Sequence, residues 1–197
     1  MSSSQPPPSP QAGTWLRRRW LAAWCVAHLV AFVATWPDVP LVEDEAHYID
    51  AAQAYAHGSV FSTRTDFQTL QPVRYIPSFY PVGTSLAQAP FVHWFGWRGA
   101  YVVPMLGFLL SVVAVAWLLR RRGLPQEFAL LMATFLPVLV LSRVAMSDTI
   151  TTGVVALGLW LFVSTQETGR WRTVLAGFAA GLAIVFREAT VLVLDRK

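Results

Sequence analysis

Residues 100–122 read AYVVPMLGFLLSVVAVAWLLRRR, an apolar run closed by three arginines. An apolar run of roughly 20 residues is long enough for a helix to cross the hydrocarbon core of a bilayer, and arginines favour its cytoplasmic edge. Across the chain 55% of the 197 residues are hydrophobic and 13% are charged, whereas soluble proteins carry about twice that charged fraction. We therefore predict an all-α polytopic membrane protein. Its transmembrane domain covers residues 15–197, behind a disordered tail at residues 1–14 that is rich in Ser, Pro and Gln.

Further apolar stretches raise the predicted number of transmembrane helices to about five. They lie at residues 20–36, 128–141, 149–163 and 174–186. Pro137 interrupts the second of these stretches, and we expect neighbouring helices to satisfy the carbonyl group that this proline frees. The spacing of Gly177 and Gly181 is typical of helix packing in membranes.

A long polar connection, residues 37–98, follows the first apolar stretch. It carries six carboxylates, three of them consecutive at residues 43–45. Behind them, alanine and aromatic side chains recur at helical spacing up to Gly58, a residue suited to the C′ position of a helix. We predict a surface helix over residues 46–58 and a second surface or re-entrant helix over residues 85–95, both in the first extracytoplasmic loop.

The arginines set the predicted orientation. Clusters at residues 17–19, 120–122 and 170–172 all fall on one side of the membrane when the N-terminus is cytoplasmic. The acidic loop, the turn at residues 142–148 and Arg187 then share the opposite, extracytoplasmic side. The expected location is a bacterial-type inner or plasma membrane. The arginines lie at the ends of the apolar stretches and form no basic face, so no nucleic-acid partner is expected.

Asp44 and Glu45 have two interpretations. One is a solvated loop that caps the following helix, with Asp44 as the N-cap residue. The other is a general base at the membrane surface. Asp148 presents the same choice, because it can cap the fourth helix or hold an acceptor hydroxyl or a cation beside Asp44. Spacing alone favours capping for both aspartates.

Arg187 follows a long apolar run and also has two interpretations. It can reach the interface and pair with Glu188 or Asp148, or it can bind a phosphate group, for which a planar guanidinium is well suited. For Arg74 the structural interpretation is favoured. No Cys/His spacing typical of a metal site occurs, so no metal ligand is assigned, and a divalent metal between Asp44 and Asp148 stays an alternative.

Several short motifs occur in a definite order along residues 15–194. A first span with a cytoplasmic N-terminus is followed by EDEAHY at residues 43–48 and by SFYPVG at residues 78–83. An arginine-rich turn, the polar turn at residues 142–148 and the stretch at residues 177–188 come next. In this order the chain resembles the N-terminal half of a GT-C superfamily glycosyltransferase, of the protein O-mannosyltransferase and aminoarabinose transferase type.

The resemblance implies an enzyme that uses a polyprenyl-phosphate sugar donor. Such an enzyme transfers the sugar to a hydroxyl group of a lipid, glycan or protein acceptor, with inversion at the anomeric carbon. Asp44 matches the catalytic carboxylate of the family, and Arg187 matches a basic position near the donor phosphate. The resemblance therefore implies catalytic roles for Asp44, Glu45 and Asp148, and substrate-binding roles for Arg187, Arg74 and Tyr80.

Enzymes of this family usually have more spans than this chain, so we expect a truncated gene product or a fragment with little activity alone. The alternative is a non-catalytic, small multi-pass subunit or transporter component whose acidic loop binds a partner or a cation. A transporter is disfavoured because the predicted spans contain almost no charged residues. The transferase hypothesis requires Asp44, Asp148 and Arg187 to lie around one external site.

Overall fold

The computed structural model describes residues 13–65, 71–75, 81–165 and 170–187. This part of the chain is mostly helical, which confirms the predicted all-α class. The helices are α1 (Gly13–Ala34), α2 (Glu43–Ala56), α3 (Val82–Phe95), α4 (Val102–Arg121), α5 (Phe128–Thr134), α6 (Leu136–Leu141), α7 (Asp148–Thr165) and α8 (Arg170–Phe186). A 3₁₀ turn, Gly96–Tyr101, joins α3 to α4, and two strands, β1 (Ser62–Thr65) and β2 (Pro72–Tyr75), form an antiparallel hairpin that was not predicted.

Glycine ends α2 where the sequence predicted it. Gly58 has a φ of 69°, a left-handed conformation that costs a glycine little. Its N–H donates to the carbonyl of Tyr55 at 2.9 Å, and the N–H of Ser59 donates to the carbonyl of Ala54 at 2.9 Å. This pair of bonds is a Schellman motif. Gly123 ends α4 with the same pairing.

The helices α4 and α7 pack closely enough for their backbones to touch. A Cβ atom added at Gly107 would overlap the backbone of Ile150, and one added at Gly153 would overlap the carbonyl group of Gly107. Such close approach through small residues is typical of helix contacts in membranes. By contrast, nothing lies within 4 Å of the Cβ position at Gly177 or Gly181, so the prediction that this pair marks a helix contact is wrong.

Ring and side-chain contacts give the directions of the main helices. Trp117 of α4 lies against Trp160 of α7, with ring centroids 4.6 Å apart, so these two helices run in the same direction from their contact at Gly107. Ala179 of α8 lies by Gly158, and Arg187, after the end of α8, pairs with Asp148 at the start of α7. The helix α8 is therefore antiparallel to α7.

The first helix, α1, is antiparallel to α4. Phe32 near the end of α1 packs with Met105 near the start of α4, and Trp24, earlier in α1, lies 5.7 Å from the ring of Phe108, further along α4. One end of the bundle therefore contains the start of α1, the arginines that end α4 and Arg170 at the start of α8. The opposite end contains the starts of α4 and α7 and the end of α8.

The predicted third span is two short helices. The helices α5 and α6 are separated at Phe135, whose ψ of 115° is extended. Pro137 has no N–H, and its ring would clash with a carbonyl one turn earlier in a continuous helix. The prediction of an unbroken span is therefore wrong at this point. Because α4 and α7 start at the same end of the bundle, α5 and α6 together return the chain to that end.

One helical run in the described part of the chain, Val82–Arg121, is long and apolar enough to cross a membrane. It contains the predicted second span. Arg19–Ala34 and Asp148–Ser164 are apolar but shorter. Helix length and composition in the described residues thus support one crossing, and the predicted number of about five is not supported on these grounds.

The contact between α4 and α7 yields a test with a matched control. Gly107→Ala is expected to lower the free energy of unfolding by about 1–3 kcal/mol, because the new methyl group forces two backbones apart. Gly181→Ala adds the same methyl group in open space and is expected to be neutral or slightly stabilising, since alanine favours helix by up to about 1 kcal/mol. Unfolding in detergent measures both. Equal stability of the two variants would contradict the close contact.

Candidate functional site

Polar side chains from three helices meet at one end of the bundle. They come from the start of α2, from the turn that enters α7 and from the end of α8. We call this group the polar junction; its members are Asp44, Glu45, Tyr48, Ser147, Asp148 and Arg187. Segments about 100 residues apart in sequence are thereby brought together.

Glu45 holds the junction together. Its side chain is fully buried, and Oε1 accepts a hydrogen bond of 2.6 Å from the N–H of Ala145. Oε2 accepts a bond of 3.1 Å from the N–H of Val42 and another from the N–H of Leu41. Hydrogen bonds to a charged acceptor are about twice as strong as neutral ones. These bonds tie the start of α2 to the turn before α7.

Glu45 also takes the capping role that the sequence suggested for Asp44. The N-cap residue is Val42, which has an extended backbone and no polar side chain. Glu45, three residues later, accepts its N–H, which is one half of a capping box. Asp44 lies inside the first turn, where the positive end of the helix favours a carboxylate. The interpretation of Asp44 as the N-cap is therefore wrong, and its side chain is half-buried in the first turn.

Tyr48 lies one turn after Asp44 and is 3% exposed. Its hydroxyl donates a 3.3 Å hydrogen bond to Oγ of Ser147. Burial raises the pKa of Tyr48; the bond to Ser147 and the positive charge of Arg187 oppose that rise, and the negative charge of Asp44 adds to it. The phenol thus lies within electrostatic range of both a candidate base and a candidate phosphate ligand. The sequence placed Tyr48 on the apolar face of α2 but assigned it no role.

Asp148 and Arg187 form an ion pair across the start of α7 and the end of α8. This pairing is one of the two structural interpretations considered for Arg187. The carboxylate side chain is 28% exposed and the guanidinium side chain 45%, so water screens the pair and its contribution to stability is at most about 1 kcal/mol. A phosphate ligand of Arg187 therefore competes with a weak internal partner.

The helix α3 covers the junction from one side. Oγ of Ser85 donates to the carbonyl of Tyr48 at 3.1 Å, and Nε2 of Gln88 donates to the carbonyl of Ala145 at 3.2 Å. The hydroxyl of Thr84 donates to the carbonyl of Phe186 at 3.4 Å. All three donors are buried. They bind α3 to each of the three segments that form the junction and exclude water from its inner side.

The remaining sequence-predicted site residues lie elsewhere. Arg74 is exposed on β2, and its guanidinium lies 4.8 Å from the ring of Phe61. Tyr80 is outside the described residues. Within residues 13–65, 71–75, 81–165 and 170–187, no three His, Cys, Asp or Glu side chains are grouped as metal ligands. The described contacts thus bring Asp44, Glu45, Asp148 and Arg187 together but do not join Arg74 to them.

Comparison with known proteins gives no assignment. No family model, no curated protein and no solved structure matches the chain. A functional hypothesis therefore depends on the geometry of the polar junction and on the order of the sequence motifs.

Glu45 can be tested against its neighbour in the same helical turn. Glu45→Ala is expected to lower the free energy of unfolding by about 2–4 kcal/mol, because it leaves the buried N–H of Ala145 and two part-buried N–H groups without an acceptor. Glu43→Ala removes an exposed carboxylate from the same turn and is expected to cost less than about 1 kcal/mol. Denaturant unfolding in detergent compares the two. Similar losses would show that Glu45 is not the anchor.

The raised pKa of Tyr48 gives a pH dependence. In the unfolded chain this phenol ionises near its ordinary value of 10.0, and in the folded chain at higher pH. The unfolded state therefore loses its proton first, and Tyr48 lowers stability as pH rises above about 10. Tyr48→Phe is expected to reduce the slope of unfolding free energy between about pH 9 and about pH 11. An unchanged slope would contradict the burial of the phenol.

Proposed function

We propose that the chain is a membrane glycosyltransferase of the GT-C type, or a part of one. It moves a sugar from a polyprenyl-phosphate donor to the hydroxyl group of a lipid, glycan or protein acceptor. The observation that carries this proposal is the grouping of Asp44 with the Asp148–Arg187 ion pair around Tyr48. A carboxylate and a guanidinium at one site are the two groups that such a transfer requires.

The chemistry assigns one step to each group. The carboxylate of Asp44 accepts the proton of the acceptor hydroxyl as its oxygen forms a bond to the anomeric carbon. The bond from that carbon to the phosphate oxygen breaks, and polyprenyl phosphate leaves with the electron pair. Arg187 stabilises the charge of the departing phosphate, while Asp148 orients the acceptor once Arg187 has exchanged partners. Direct displacement inverts the anomeric configuration.

Two further residues have positioning roles in this proposal. Glu45 is fully buried and its carboxylate oxygens accept hydrogen bonds from backbone N–H groups. Its role is therefore to hold Asp44 in place and not to transfer a proton. Tyr48 is neutral and buried between Asp44 and Ser147, so it fixes the distance between α2 and α7. Preorganised groups of this kind lower the cost of reaching the transition state.

The membrane setting is part of the proposal. Large apolar side chains are exposed along α1 and α8, among them Val30, Val33, Trp171 and Phe178, and exposed apolar surface of this kind suits contact with lipid. We place five crossings at α1, α4, the broken pair α5–α6, α7 and α8. The arginine-rich end of the bundle is cytoplasmic, in accord with the positive-inside rule. The polar junction is then extracytoplasmic.

A non-catalytic multi-pass subunit is the second candidate. The ion pair of Asp148 and Arg187 favours it, because a closed pair can join α7 to α8 without any ligand. In such a subunit Asp44 is only a first-turn carboxylate that stabilises α2. The two candidates therefore differ in one expected result: loss of the Asp44 charge lowers transfer activity only if the chain is a transferase.

Transfer in proteoliposomes tests the proposal. The full chain is supplied with a polyprenyl-phosphate sugar and a mixture of lipid and glycan acceptors, and labelled product is counted. Asp44→Asn is expected to lower turnover by about 10²–10⁴-fold, the usual contribution of a general base. Arg187→Gln is expected to weaken donor binding by about tenfold, as for one lost charged hydrogen-bonding partner.

Glu43→Gln is the matched control, because it removes a neighbouring charge that is exposed. It is expected to leave turnover within about twofold of the wild-type chain. Absence of transfer and of donor binding in the wild-type chain, or equal turnover in Asp44→Asn and Glu43→Gln, would overturn the transferase proposal in favour of the non-catalytic subunit.

A further inference from the structure

A second polar site lies at the C-terminal end of α1. A cleft of about 260 Å³ opens there between the residues that follow α1 and the end of α6. We call it the α1 cleft; its lining residues include Trp36, Asp38, Val39, Leu41, Val140 and Arg143. It is separate from the polar junction, and none of its side chains has a role in the proposed transfer.

Among the described residues, the arginine of the cleft has no acidic partner. The guanidinium of Arg143 donates to the carbonyl of Thr35 and lies 5.7 Å from the ring centroid of Phe32. No carboxylate of the described chain forms a salt bridge with it. Because a half-buried cation is stabilised by a charged acceptor, Arg143 favours an anionic ligand, and its planar fork suits a phosphate.

The same cleft also carries a negative group. Asp38 lines it and is exposed, yet forms no salt bridge with Arg143. The carbonyl groups at the end of α1 add partial negative charge, and the face of Trp36 attracts cations. A simple phosphate would be attracted by the positive charge of Arg143 and repelled by the negative charge of Asp38. A ligand with a phosphate and an ammonium group complements both.

The walls of the cleft suit a lipid. Val39, Leu41 and Val140 line it and are 62%, 64% and 46% exposed. Trp36 donates its indole N–H to the carbonyl of Arg98 at 2.9 Å, and tryptophans of this kind are typical of the membrane interface. Exposed apolar side chains beside two opposite charges match an acyl chain that continues from a polar headgroup.

We infer that the α1 cleft binds a glycerophospholipid with a phosphoethanolamine headgroup. The phosphate lies on Arg143, and the ammonium group lies between Asp38 and Trp36. This inference rests on the proposed membrane setting and is independent of sugar transfer, since Asp44 and Arg187 take no part in it.

Native mass spectrometry of the full chain tests the inference. The protein is released from vesicles of equal parts dioleoyl phosphatidylethanolamine and dioleoyl phosphatidylglycerol, and retained lipid is identified. Phosphatidylethanolamine is expected to be retained about tenfold over phosphatidylglycerol, the effect of one favourable charged contact. Soluble phosphoethanolamine is expected not to displace it, because the acyl contact is missing.

Two variants separate the two charges. Asp38→Asn is expected to bring the retention ratio close to one while phosphatidylglycerol is held at least as well as before. Arg143→Gln is expected to lower retention of both lipids about tenfold, and Arg98→Gln, which removes an exposed nearby arginine, is the control that keeps wild-type retention. Asp38 is exposed, so its replacement leaves the fold intact.

Some results would overturn the inference. One is equal retention of the two lipids by the wild-type chain, and another is an unchanged ratio in Asp38→Asn. Displacement by soluble phosphoethanolamine would show a headgroup site without an acyl chain, and so would contradict the lipid assignment. Each of these results leaves the transferase proposal standing, because the transfer assay depends on Asp44.

Discussion

The buried carboxylate of Glu45 is the interaction on which the polar junction depends. It satisfies N–H groups at the start of α2 and the N–H of Ala145, on a segment 100 residues away. The N–H of Ala145 is buried, so its loss of an acceptor would cost free energy. With α2 fixed in this way, Asp44 lies one turn before Tyr48, whose phenol is within electrostatic range of both Asp44 and Arg187.

The same carboxylate joins the polar junction to the α1 cleft. The N–H of Leu41 donates to Glu45, and Leu41 also lines the cleft. Ala145 is two residues from Arg143, the cation of the cleft. The two sites therefore share one short backbone segment on each side.

The sequence predicted local features better than long-range ones. Three features could be predicted from the sequence, because each depends on a preference of neighbouring residues or on charge. They are the end of α2 at Gly58, the end of α4 after its arginines and the pairing of Arg187 with Asp148.

The role of Glu45 could not be predicted from the sequence, since its hydrogen bond from Ala145 depends on the fold that brings Ala145 to it. The break near Pro137 was mistaken for a tolerated proline, because tertiary packing decides whether the helix bends or breaks. The contacts of Gly107 and Gly153 were not predicted, because these glycines lie on different helices and no short spacing links them.

The most direct test of the account is the accessibility of position 44 and its response to donor lipid. Asp44→Cys is introduced with Cys25→Ser, which removes the single native thiol, and oriented vesicles are treated with a membrane-impermeant maleimide. We expect labelling from the side opposite the N-terminus and protection by a polyprenyl-phosphate sugar, while Glu43→Cys in the same background is labelled without protection. Labelling from the N-terminal side, or labelling of Asp44→Cys that the donor lipid does not change, would contradict the proposed orientation and the role of Asp44.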